Sequence, residues 1–421
     1  MSEVRMLRNG RLRDGRLVDL HVVDGRIDRV IDAAEDPGGG DPGADHPAAD
    51  GASIDLGGWL VLPAPAEPHA HLDKAISAEM VPNPTGDLMG AIDAWVTAGR
   101  EGRLTYADTV RRATAAMERL VINGVTAVRT HVDVMGPEPV AALRAVKEAA
   151  ATFTGMLDVQ TVALVSTPLA GADGAANRSA LAAALAEGID HVGGCPHLDR
   201  DGPGLIAVAI EAATEAGVGL DLHVDETLDA DMLTLRDYAT QILESGFGGL
   251  RSAGHCVSLG MQSDAVQAEV AALVAEASIS IFALPQTNLF LQGRDDPTAT
   301  PRGLTALKAL IDHGVLVAAG ADNVQDPFNL VGRSDPLETA ALLVMAGHRL
   351  PDEAYDMVSN NVRRAIGMPE VRFEPGDPAD LLVIDAPSVR GALADAPMSR
   401  RVFRRGRLVA SADQRTRLHR P

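Results

Sequence analysis

LVLPAPAEPHAHLDK, residues 60–74, is an apolar run that ends in two histidines, His69 and His71. In an extended strand, residues i and i+2 point to the same face. A His-x-His pair at a strand end therefore sets two imidazoles side by side, half of a site for a borderline divalent metal. Such a pair also occurs by chance on a surface. Its meaning rests on what ends the other strand-like runs.

Eight such runs are expected, at 60–71, 125–134, 157–165, 189–195, 218–225, 250–256, 278–286 and 315–322. Ala-rich amphipathic stretches lie between most of them, such as TVRRATAAMERLVIN at 109–123 and DAVQAEVAALVAEA at 264–277. This alternation is an α/β pattern and fits a (β/α)8 TIM-like barrel, although a doubly wound sheet writes a similar string. The placement of polar residues separates the two. Barrel chemistry gathers at the C-terminal ends of strands. Here those ends carry His69 and His71, His131 and Asp133, His197 and Asp199, His223 with Asp225 and Glu226, His255, and Asp322 with Asn323. Six of the twelve histidines thus follow one expected rim.

Both chain ends read differently. Residues 3–34 hold short strands with Asn-Gly and Asp-Gly turn signals, and the segment after 375 again holds short strands with Gly and Pro turns. They are expected to pair into one small β-sandwich, giving 1–59 and 368–421 to that domain and 60–367 to the barrel. Residues 35–52 form a Gly/Pro/Asp-rich loop, expected to be mobile. The composition is 46% hydrophobic but only 3% aromatic, so the core is built of Ala, Leu and Val. A formal charge of -21 argues against nucleic acid or an anionic membrane as the main partner. Two cysteines, Cys195 and Cys256, cannot make a disulfide framework and are read as buried thiols. With no apolar signal core and no long apolar run, the expected location is the cytoplasm. Association into a homo-oligomer is compatible with the sequence, which shows no interface.

A divalent metal at such a rim needs three or four protein ligands and an open position for water, whose pKa it lowers. A nearby carboxylate must then carry a proton from water to leaving group. Glu226 stands three residues beyond His223 and faces the wrong way on a straight strand, so the strand must bend for it to serve.

EPHAHLDK (67–74), RTHVDV (129–134), LHVDE (222–226), GHC (254–256), LPQTNLFLQGR (284–294) and GADNVQDPFNLVG (320–332) together resemble the cytosine deaminase branch of the amidohydrolase superfamily, in the same order throughout. The resemblance implies one metal, zinc or iron, on His69, His71, His223 and Asp322. It implies Glu226 as proton shuttle, His255 as the group that orients water and steadies the oxyanion, and Asp322 as a further proton acceptor. Relatives with two metals use a lysine after the fourth strand; Lys74, Lys147 and Lys308, the only lysines here, lie elsewhere. The implied reaction is hydrolytic deamination of a small amino-substituted nitrogen heterocycle, with release of ammonia. Substrate contacts are expected from Lys74, Ser166, His197, Gln292, Asn323 and Phe328. His131, Asp133 and Arg294 are left between supporting and substrate-contacting roles.

The branch pattern breaks at three of these. Ser166 stands where cytosine deaminases carry a glutamine, Asn323 replaces an aspartate, and Phe328 replaces a tryptophan. A site built around one hydrogen bond discriminates strongly against ligands lacking the partner, so cytosine itself is not the expected substrate. Release of an alkylamine from an aminotriazine, opening of a cyclic amide, and a scaffold that has lost the chemistry are the competing readings. The complete ligand set and Glu226 speak against the last.

Overall fold

The computed structural model describes residues 4–33 and 53–419. The loop expected at 35–52 lies outside the described residues. Among them two sheets of eight strands form. One is parallel throughout and consists of Glu67–Ala70, Ala127–Val134, Asp158–Val165, His191–Gly193, Gly219–Val224, Arg251–His255, Ser280–Ala283 and Val317–Ala319 in sequential order. A parallel bridge between Ala70 and Asp322 joins the last segment to the first. The sheet is thereby closed into the expected barrel, and the seam falls between the two histidines. Buried Glu67 reinforces it: its carboxyl accepts hydrogen bonds from the backbone N–H of His69 (3.1 Å) and of Ala321 (2.9 Å).

The run expected as one strand at 60–71 is two. Leu60–Pro63 pairs antiparallel with Leu381–Ile384 and so belongs to the second sheet, built from both chain ends. The prolines at 63, 65 and 68 account for the break, since each lacks an N–H for a ladder. Leu60–Pro63 is nonetheless apolar on both sides, because it lies between two cores. Leu60 and Leu62 pack with the barrel core, whereas Val61 packs with Leu7, Leu20 and Phe403 of the end-sheet core. Leu382 and Ile384 against Leu381 and Val383 repeat this alternation. Strands covered on both faces lose the apolar–polar rhythm.

Ion pairs tie the end sheet to helices around the barrel. Buried Arg363 and Arg404 share the Asp380 carboxylate, and buried Arg400 binds Asp335 through two hydrogen bonds of 2.8 and 3.0 Å. The helices around the barrel follow ordinary end rules: Ser263 caps Asp264–Glu276 through its side chain, and Gly217, at φ +68°, ends Gly202–Ala216 in the left-handed region.

Candidate active site

Four side chains meet at the barrel mouth. His223 Nε2 lies 3.1 Å from His69 Nε2 and 3.2 Å from His71 Nε2. Asp322 Oδ1 is 3.3 Å from His71 Nε2 and 3.7 Å from His69 Nε2. All four are buried. Burial, joined by the neighbouring imidazoles, pushes the His69 and His223 pKa values well down, and burial brings His71 to about 4. These rings are therefore neutral at pH 7, with lone pairs to donate. One N–H···N bond can join such a pair, but His223 Nε2 faces two imidazole nitrogens at once, and a single cation among them would take up every lone pair. Both Asp322 carboxylate oxygens and His255 Nε2 also lack a hydrogen-bond partner among the described residues. Buried polar atoms are rarely left so. Neutral imidazoles, a carboxylate and orphaned lone pairs at one point fit a divalent metal.

Backbone strain positions this set. Asp225, His255, Cys256 and Asp322 all have positive φ, at 50°, 68°, 49° and 63°. Each such non-glycine residue costs on the order of 1–3 kcal/mol and persists only where its surroundings enforce it. At Asp225 the enforcement is visible. Its carboxylate accepts from the backbone N–H of Thr234 (2.9 Å) and of Leu235 (3.0 Å), pinning the strand end to the following helix. The chain therefore turns after Val224 and swings Glu226 inward, to 3.5 Å from His255 Nδ1. Burial, with Asp322 nearby, raises the Glu226 pKa well above the usual carboxylate range. His255 Nδ1 lies 3.0 Å from Asn288 Oδ1, which fixes it as the proton-bearing nitrogen and leaves Nε2 facing Asp322 at 3.9 Å.

A cavity of about 280 Å³ opens beside these groups. Lys74, Ser166, Asn323 and Phe328, expected at the substrate, line it with His71, His223, Glu226, His255 and Asp322. Lys74 donates to Asp133 Oδ1 at 2.6 Å, and Trp95 Nε1 donates to Asp133 Oδ2 at 2.9 Å. Burial opposes the Lys74 charge, but Asp133 and Asp73 outweigh it and raise its pKa. The Asn323 amide is held by Asp326 Oδ2 at 2.8 Å. His197 and Gln292 do not line the cavity. His197 Nδ1 lies 3.2 Å from the His223 carbonyl, and the Gln292 amide donates to the Glu226 carbonyl at 3.2 Å. Both brace the backbone that carries the shuttle and a ligand. Arg294 stacks on Phe290 with 4.5 Å to the ring centroid, away from the cavity. His131 stacks on His69, ring centroids 4.0 Å apart, with its Nε2 3.6 Å from Asp221. Cys195, expected as a buried structural thiol, is half-buried and lines the cavity, where burial raises its pKa.

Residues 102–410 match the Amidohydrolase family. Pterin deaminase of Rhizobium rhizogenes (strain K84 / ATCC BAA-868) is 35% identical over 364 residues, 85% of this chain and 82% of that protein. The chain belongs to the amidohydrolase family. Among solved structures, 5-methylcytosine deaminase from Klebsiella pneumoniae, liganded with 5-fluorocytosine, superposes on this amidohydrolase with a TM-score of 0.86 at 28% identity, covering 98% of this chain and 99% of that one. N-isopropylammelide isopropylaminohydrolase from Burkholderia multivorans gives a TM-score of 0.79 at 26% identity, covering 98% and 99%.

Four contributors to this amidohydrolase site were not singled out by sequence reasoning: Glu67 at the seam, Asp225 as the bend, Asn288 behind His255, and Trp95 on Asp133. Asp225 had a faint signal, an acid at the point where a straight strand would have misdirected Glu226. Trp95 had none, because its partner is distant in the chain, and Asn288 lay within a quoted motif without its own role being marked.

Proposed function

We propose that this amidohydrolase is a metal-dependent hydrolytic deaminase of small amino-substituted nitrogen heterocycles, acting in the cytoplasm. The observation that carries the reading is the meeting of three imidazole Nε2 atoms and a carboxylate at one point beside buried Glu226, whose pKa burial raises. His69, His71, His223 and Asp322 would hold one divalent ion, zinc or iron. When bound, that ion supplies a water acidic enough to ionise near pH 7.

The chain's own groups do the rest. Glu226 takes the water's proton and delivers it to the leaving nitrogen. Its raised pKa suits both tasks, since an acid–base catalyst works best with a pKa near the operating pH. His255, its tautomer set by Asn288, presents its Nε2 lone pair to the attacking water and orients it toward the amino-bearing carbon. Lys74, clamped by Asp133, presents a fixed cation to a ring carbonyl. Ser166 and Asn323 complete the polar end of the cavity.

The relatives named for pterin and 5-methylcytosine deamination make 2-aminopteridine and aminopyrimidine rings the first substrates to test. Ammonia release from zinc- or iron-loaded protein over cytosine, 5-methylcytosine, isocytosine and pterin tests the reading. Turnover of at least one, abolished by chelation and restored by metal, is expected. Isopropylamine from N-isopropylammelide, with no ammonia from any ring, would replace this reading with the alkylamine-releasing one.

A further inference from the structure

The cavity has two unlike halves. His71, Lys74, Asp133, Glu226, Asp322 and Asn323 make its polar end. One face of the helix Leu88–Arg100, where Leu88, Ile92 and Val96 recur at intervals of four, lines the same space. Residues four apart share a helix face. These three are only half-buried, whereas Ala91, Trp95 and Ala98 of the same helix are buried. Met135 and Leu198 also line the cavity, and they remain 37% and 40% exposed. Five apolar side chains thus line the same open space as the reacting groups. Exposed apolar surface gathered in one place marks a binding site more often than chance. On the side toward Ser166 the short side chain leaves further room.

A single six-membered ring satisfied by Lys74, Ser166 and Glu226 sits at the polar end and leaves that wall wet. We infer that the wall formed by Leu88, Ile92 and Val96, together with Met135 and Leu198, selects fused bicyclic amino-heterocycles, the second ring lying against the helix. This rests on the deaminase reading above for the placement of the first ring. The wall's contribution is the removal of the second ring's apolar surface from water, at about 25 cal/mol per Å².

Two matched ligand pairs isolate this contribution: isocytosine against 2-aminoquinazolin-4-one, and cytosine against 4-aminoquinazolin-2-one. Each pair shares its polar ring and differs by one fused benzo ring. The probe is titration calorimetry with zinc-loaded Glu226→Gln, which holds ligand without turnover. We expect the fused member to bind at least tenfold tighter in one pair or both. We further expect Ile92→Asn to cut that preference by about tenfold, and Val96→Asn serves in its place should Ile92→Asn fail to fold. Equal affinity within both pairs, no binding of any of the four, or a preference unchanged by either variant would overturn the inference. The underlying reading fails separately. Fused-ring preference in calorimetry without ammonia release by the wild-type enzyme refutes deamination and leaves the wall standing. Ammonia release with equal kcat/KM within each pair does the opposite.

Discussion

Glu226 shows how little a residue's type says without its surroundings. A solvated glutamate titrates near pH 4 and cannot hold a proton at neutrality. Buried beside Asp322, this one has its pKa raised well above that value. Glu226→Gln keeps the shape and removes the shuttle, so kcat should fall by about 100- to 10,000-fold, with metal content by elemental analysis unchanged. Loss of metal along with activity would show that Glu226 serves binding instead. Asn288 acts one step further out, through His255 Nδ1. Asn288→Ala should lower kcat more than it raises KM, because a water left without its orienting group slows the chemical step and leaves ground-state binding alone. Asn288→Asp, which retains an acceptor, should recover most of the loss. A change confined to KM would place Asn288 at the substrate instead.

Among elements, the strand Gly219–Val224 and the helix Thr234–Ser245 matter together. The helix donates two backbone N–H groups to the Asp225 carboxylate, and that contact turns the chain. Asp225→Ala removes the acceptor and leaves both donors buried. It should cost about 2–3 kcal/mol of stability, as unsatisfied buried groups do, and should lower activity beyond that of the folded fraction. Denaturant unfolding and ammonia release measured on the same preparation separate the two effects. Existence and order of the barrel strands were readable from eight apolar runs with polar ends. The division of 60–71 between two sheets was not, because a strand buried on both faces and a barrel strand are equally apolar.

At the scale of the whole molecule, the end sheet is tied to helices around the barrel by arginines buried on carboxylates. Burial alone would raise the Asp380 pKa, but Arg363 and Arg404 outweigh it and hold the carboxyl below its usual range. The unfolded chain therefore binds the proton more readily than the native one. The stabilisation is present above the unfolded value, near pH 4, and is lost as pH falls through the lower folded value. Asp380→Asn should cost about 3–5 kcal/mol at pH 7, the usual toll for leaving buried charges without a partner, and much less at pH 3. A pH-independent loss would refute the ion-pair account. A bound ion stabilises the whole fold as well, since ligation favours the native state by RT ln(1 + [L]/Kd). Chelation should lower Tm, and stoichiometric zinc or iron should restore it; an unaltered Tm would count against the ligand set.

The sequence by itself determined the barrel and the family, and it pointed to six candidate positions that the fold brings together at the rim: His69, His71, His223, Glu226, His255 and Asp322. Strand periodicity is local, and metal ligands must be of a few residue types at strand ends, so both leave marks in a single chain. Tertiary structure decided what depends on partners far apart in sequence. It closed the seam at Ala70 and Asp322, turned Glu226 inward through Asp225, and set His197 and Gln292 behind the site instead of in it. It also brought a helix from beyond His71 over the cavity as an apolar wall. None of these follows from residue type or spacing, because each is fixed by packing between segments that the chain keeps apart.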